Sequence, residues 1–187
     1  MVTQYESRIV RGFDVDRITP APLQLIQFAQ LKAQHTAVFD VVSDHGALHK
    51  FTGTITHIDV DHTNTATGKE CGVGTLRYCH TPLRMTIQES IVCWEPSMMY
   101  GYRIRNFQSL LPDHLGIVTT EPATNDTTLL TWRTYFHSKR VGGHFARVSL
   151  GVILPDMVSN LVKHFGGQIL DANEAATLLP TPPGIAQ

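Results

Sequence analysis

The chain is short of cysteine, of charge and of long apolar runs, and each scarcity removes a class of protein. Its 3 cysteines, Cys71, Cys79 and Cys93, are odd in number and lack C-x-x-C spacing, which argues against a disulfide framework and for reduced thiols in a reducing compartment. Only 17% of the 187 residues are charged, and 15 basic against 16 acidic side chains leave a formal net charge of −1. No cluster of Lys and Arg could neutralise a phosphate backbone, so nucleic acid and anionic membrane are poor partners. No stretch approaches the roughly 18 apolar residues of a membrane span; Pro22–Leu31 and Val148–Leu154 come nearest and are short or carry glutamines. Glu6, Arg8, Arg11 and Asp14 stand where a signal peptide needs an apolar segment, so a cytoplasmic protein without membrane insertion is expected.

Signatures of covalent and cofactor chemistry are missing as well. There is no G-x-S-x-G, and no cysteine sits in a nucleophile context. Gly72-x-Gly74 leads into a strand and not a helix N-terminus, so it lacks the N–H groups and dipole of a phosphate site. His45-x-x-x-His49 has a chelating spacing, but Gly46 weakens the helix and no carboxylate or thiol completes a zinc shell in the local sequence. Neither metal nor cofactor is expected.

What is present is a sizeable core. With 42% hydrophobic residues, a chain of this length can bury about 70% of its unfolded surface. Residues 1–21 mix charges with few periodic apolar positions and end in Thr19-Pro20-Ala21-Pro22, which reads as an N-terminal extension. Leu23–Lys32 alternates as a strand with both faces partly covered, and two short helices follow around Val38–Val42 and Ala47–Phe51. Strand-like runs then recur at 54–60, 74–80, 85–94, 98–105, 115–120 and 128–137, punctuated by Pro82, Pro96 and Asn125-Asp126, so an antiparallel meander is predicted. Val141–Phe165 is apolar at helical period, with Pro155 expected to kink or split it and Gly166-Gly167 to stop it. The domain is thus predicted over 22–167, with 168–187 as a proline-containing tail of low order.

That order of elements is the order of the helix-grip fold, an α+β architecture in which a curved sheet wraps a long C-terminal helix. Local text agrees: Val38-Phe39-Asp40, Asp44-His45, Gly72-Val73-Gly74-Thr75-Leu76-Arg77, Glu89-Ser90-Ile91, Tyr100-Gly101-Tyr102-Arg103-Ile104, His114-Leu115-Gly116 and Thr128-Leu129-Leu130-Thr131-Trp132. From Leu23 to Phe165 the chain resembles the SRPBCC superfamily, also called START-like or Bet v 1-like, and in particular its polyketide cyclase/dehydrase and lipid-transport branch. The resemblance implies a deep apolar cavity between sheet and long helix that holds a hydrophobic small molecule, some members being cyclases or dehydratases and others carriers or sensors.

Period-2 alternation assigns the cavity faces. Leu130, Trp132, Thr134 and Phe136 point in, against Thr131, Arg133, Tyr135 and His137; Tyr100, Tyr102 and Ile104 point in, against Arg103 and Arg105; and Ile87, Glu89, Ile91 and Cys93 share one inward face. The resemblance places Arg77 on the concave side, near Glu89. A buried arginine and carboxylate need one another, because removing one partner costs about 3 to 5 kcal/mol. The pair either knits two strands or orients a ligand carbonyl or enol. His114, taken to sit at the cavity rim, is the candidate for acid/base work or hydrogen bonding. Phe145, Ser149 and Val152 are expected to close the cavity from the long helix.

Two functions stay open at this stage, with Arg77, Glu89 and His114 as candidate catalytic residues of the second. One is binding of a lipid-like or aromatic molecule; the other is a cyclase or dehydratase using those three residues in the same cavity. A protein-interaction role is a third alternative.

Overall fold

The computed structural model describes residues 7–107, 111–137 and 141–178, with the backbone alone for 141–146. One antiparallel sheet of eight strands dominates it. β3 (Leu23–Leu31), β4 (His57–Asp61), β5 (Leu76–His80), β6 (Thr86–Glu95), β7 (Met99–Ile104), β8 (Leu115–Ala123), β9 (Thr127–Tyr135) and β10 (Gly167–Leu170) lie in the order β10-β3-β9-β8-β7-β6-β5-β4. Strands β4 to β9 form the predicted meander, and the first long strand returns beside the last. The β8–β9 turn carries Asn125 and Asp126 at φ of +60° and +54°, the left-handed region that these short polar residues tolerate best after glycine.

Helices α1 (His35–Ser43) and α2 (Val141–Phe165) cover the concave face, with a 3₁₀ turn at Leu48–Phe51. Val38, Phe39 and Val42 of α1 and Leu154, Met157, Val158 and Leu161 of α2 pack against Leu31, Ile91, Val118, Leu130 and Trp132 of the sheet. Pro155, expected to kink or split α2, does not split it: the helix runs unbroken from Val141 to Phe165. The carbonyl that its missing N–H leaves free belongs to Gly151, which is exposed and has nothing within 4 Å of where a Cβ would stand, so water can satisfy it. The chain stops helical winding at Gly166 and Gly167, both at positive φ, as the sequence led us to expect.

Both chain ends are more structured than their composition suggests. The N-terminal segment folds into a two-stranded hairpin, β1 (Ile9–Val10) and β2 (Phe13–Asp14), followed by a 3₁₀ turn at Val15–Arg17. It lies on the convex face, where Val10, Val15 and Ala21 form a second core with Cys93, Met99, Leu115, Ile117 and Tyr135. Arg11 ties it to the sheet through Glu95 at 2.8 Å and Glu121 at 3.3 Å, and Thr19 donates to the Asp113 carbonyl at 2.6 Å. Tyr135, expected on a polar outer side, is therefore buried, as are Thr131 and Arg133. Strands of two residues are too short to carry an alternation signal.

At the other end, the segment read as a tail supplies β10, paired with β3, and α3 (Ala172–Leu178). Leu170 and Ala175 close a third core over Phe28 and Leu129. Asp171 accepts from the N–H groups of Asn173 and Glu174 while Glu174 reaches back to the N–H of Asp171 at 2.8 Å. That reciprocal capping starts the helix. Its signature, Asp171-x-x-Glu174, stands in the sequence.

Candidate functional site

Between α2 and the β4–β7 half of the sheet lies a cavity of about 430 Å³, within the roughly 300–1,000 Å³ typical of small-molecule sites. Its walls are aliphatic: Leu48, Ile55, Ile58, Ile87 and Ile104 on one side, and Leu150, Ile153, Leu154 and Met157 of α2 on the other. The turn between β5 and β6 contributes Pro82, Leu83 and Met85. Leu83 is 78% exposed, which marks the mouth.

The expected lining divides into three groups. Ile87, Tyr102, Ile104, Trp132 and Ser149 lie on the wall. Ile91, Tyr100 and Leu130 point to the same side but are consumed in the solid core beneath α1 and α2, and Phe136 is wholly buried without reaching the wall. Val152 is a correction: it is 65% exposed, because the stripe of α2 that packs on the sheet runs through Leu150, Leu154, Met157, Val158 and Leu161. The side chain of Phe145 lies outside the described residues.

Cys93 is a second correction. The β6–β7 register slips between Ile91 and Cys93, so that Ile91 faces Tyr102 and Cys93 faces Gly101. Val92 is the extra residue of a β-bulge, which turns Cys93 to the convex core and Trp94 inward. Gly101 makes this possible, since a Cβ there would stand 2.6 Å from the Cys93 sulfur. Burial first, and Glu95 second, push the Cys93 thiol up to about 12.

The buried end of the cavity is polar. Arg77 and Glu89 are directly opposed on β5 and β6, and Arg77 Nε donates to Glu89 Oε2 at 2.5 Å. Burial is the largest influence and opposes the guanidinium charge, but Glu89, Tyr100, Cys79 and Tyr102 together outweigh it and raise the Arg77 pKa. The Cys79 sulfur lies 3.5 Å from the same Glu89 oxygen, and burial followed by Glu89 drives its thiol well above the usual range. Arg77 also lies 4.3 Å from the centroid of the Tyr102 ring, a cation–π contact. Tyr102 in turn lies across the bare backbone of Gly116, its register partner on β8, where any side chain would collide with the ring. Its hydroxyl accepts from Trp132 Nε1 at 3.1 Å.

Two histidines complete this end. His45, 2% exposed, faces Arg77 Nη1 with its Nδ1 at 3.1 Å. Arginine can only donate, so Nδ1 accepts and the proton sits on Nε2, which has no partner among the described residues. Burial, then Arg77, then His62 hold His45 well below the ordinary imidazole value. Sequence reading weighed His45 only beside His49; nothing in the linear text connects it to an arginine 32 residues away. His49 instead faces the Gly46 carbonyl, and among the described residues no three His, Cys, Asp or Glu side chains are placed to hold a metal ion.

His114 lies deeper than the rim position expected of it. It is 1% exposed, it lines the cavity beside Tyr102 with ring centroids 5.7 Å apart, and neither ring nitrogen has a hydrogen-bond partner among the described residues. Burial, reinforced by Arg77 and Arg103, lowers its pKa to about 3. At neutral pH it is an uncharged ring offering one donor and one acceptor.

Residues 27–166 match the family described as polyketide cyclase / dehydrase and lipid transport. Several solved structures share the fold. The XoxI protein of Bacillus cereus is 18% identical, with a TM-score of 0.61 over 75% of this chain and 94% of its own. A START superfamily protein from Mycobacterium smegmatis is 12% identical, with a TM-score of 0.59 over 76% and 97%. A norcoclaurine synthase point mutant from Thalictrum flavum, in complex with a transition-state analogue, is 15% identical, with a TM-score of 0.56 over 79% and 95%. Among curated proteins none matches significantly. Among the described residues no helix is long and apolar enough to cross a membrane.

Proposed function

The chain belongs to the polyketide cyclase/dehydrase and lipid-transport family, and from that premise we propose that it binds a hydrophobic small molecule between the sheet and α2. One observation carries this reading: a hollow of about 430 Å³ with aliphatic walls remains open in a protein whose concave core is otherwise filled. Removing apolar ligand surface from water there contributes about 25 cal/mol per Å², and Arg77, Glu89, Tyr102 and His114 give the ligand an orientation.

Binding is better supported than proton transfer. A general base works best with a pKa near the working pH, and His114 is held near 3, so in the empty cavity it takes a proton weakly. The Arg77–Glu89 contact fits a structural pair, each partner neutralising the other in a desolvated wall. The cyclase or dehydratase reading needs His114 to regain basicity when substrate binds.

Native mass spectrometry of protein taken straight from cells, joined to titration with a lipophilic dye, tests the proposal. A co-purifying small molecule, or a saturable site emptied by Leu154→Trp, is expected. Neither a bound molecule nor a saturable site would end this reading, and turnover abolished by His114→Ala would move the assignment to the enzyme.

A further inference from the structure

Resting on the binding reading above, we infer that the buried end of the cavity selects a neutral head group that both donates and accepts hydrogen bonds, a hydroxyl or hydroxy-carbonyl, over a carboxylate. The argument starts from what the protein leaves unmatched. Among the described residues neither ring nitrogen of the buried His114 has a partner; an orphaned buried polar group is costly, and native proteins keep few of them. Because this ring faces the cavity, the missing partner is something that occupies the cavity. A neutral imidazole asks for one acceptor and one donor. Tyr102, whose ring lies 5.7 Å from it, accepts from Trp132 and keeps its own phenolic proton to donate. The two residues that line this end of the cavity thus offer a phenolic donor and an imidazole acceptor and donor.

Charge decides against an ionised head. Arg77 is already balanced by Glu89 at 2.5 Å, so a ligand carboxylate would place a second negative charge against one positive charge in a desolvated wall, while a ligand ammonium would face Arg77. Burying an unpaired ion costs several kcal/mol. A hydroxyl brings no charge and can accept from Tyr102 while it donates to the acceptor nitrogen of the imidazole.

Three probes of one skeleton, naphthalene, 2-naphthol and 2-naphthoate, with decanol and decanoate as an aliphatic pair, test this at pH 7.5 by displacement of a lipophilic dye. The neutral alcohols are expected to bind at least about tenfold more tightly than the matching carboxylates, 1.4 kcal/mol by the usual conversion. In His114→Phe, 2-naphthol should lose about tenfold and naphthalene should be unchanged; His114→Gln, which keeps a donor and an acceptor, should restore part of the loss. If carboxylate and alcohol bind equally, or His114→Phe binds 2-naphthol undiminished, the selectivity is wrong although the cavity stands. If no probe of either series binds, the binding reading fails with it.

Discussion

His114→Phe should make the empty protein more stable, an unusual expectation for a fully buried polar residue. The phenyl ring replaces the imidazole at similar volume and can keep the ring contact with Tyr102, while it removes two buried nitrogens that have no partner. Each such group costs about 1–3 kcal/mol, so a gain of about 2 kcal/mol is a conservative figure, or a rise in Tm of roughly 4 to 8 °C for a chain of this size. The pH dependence supplies the sharper signature. His114 titrates near 3 in the folded protein against 6.5 as a free side chain. The unfolded chain thus binds a proton that the folded one refuses, and stability is lost as pH falls from 6.5 towards 3. At pH 5 that loss is about 2 kcal/mol relative to pH 7.5, and His114→Phe escapes it. Urea unfolding at both pH values measures the difference: the advantage of the variant should widen by about 2 kcal/mol at pH 5. A variant that is less stable than the parent at pH 7.5, or whose advantage is the same at both pH values, would falsify the account of an unpartnered neutral imidazole.

Glu89→Gln leaves Arg77 charged and uncompensated in a buried wall; urea unfolding should show a loss of about 3 to 5 kcal/mol, and the double variant Arg77→Met/Glu89→Leu should recover most of it. Gly116→Ala puts a methyl group where the Tyr102 ring lies and should break the Trp132–Tyr102 hydrogen bond, seen as a shift in tryptophan emission like that of Tyr102→Phe; an unchanged spectrum would contradict the packing. Val15→Asp should lift the N-terminal hairpin from the convex core and expose the Cys93 thiol to Ellman's reagent, with the added reactivity absent in Val15→Asp/Cys93→Ala.

The sheet was legible because alternation survives burial: Ile87, Tyr102, Ile104 and Trp132 stand on the wall that their periodicity assigned. Alternation fails where the backbone inserts a residue, and Val92 cannot be recognised as a bulge until its partner strand is known. On α2 the apolar pattern is ambiguous, because Val148 and Val152 are as apolar as the buried Leu154 and Leu161, yet stand exposed; hydrophobicity alone does not say which side of a helix meets the sheet. Arg77 could be set beside Glu89 because the family resemblance puts it on the concave side and a lone buried charge is costly, and the strand register opposes the two directly, whereas His45 joins them only through tertiary folding. The N-terminal hairpin escaped notice because Val10, Val15 and Ala21 are scattered through charged text, and their burial depends on a convex surface built by residues far along the chain.

Coverage of the sheet is uneven, and that gives the molecule a stiff side and a compliant one. The N-terminal hairpin backs β6 to β9 and α3 backs β3 and β9, so these strands are clamped between layers. On β4 and β5 the outward residues His57, Asp59, Tyr78 and His80 remain at least partly open to solvent, and the Thr81–Met85 turn at the mouth projects from that unbacked margin. Local opening is cheapest where few apolar contacts must be broken, so amide exchange should be fastest on the β4–β5 margin. A guest would pass at the flap of the molecule while the anchored half keeps its shape.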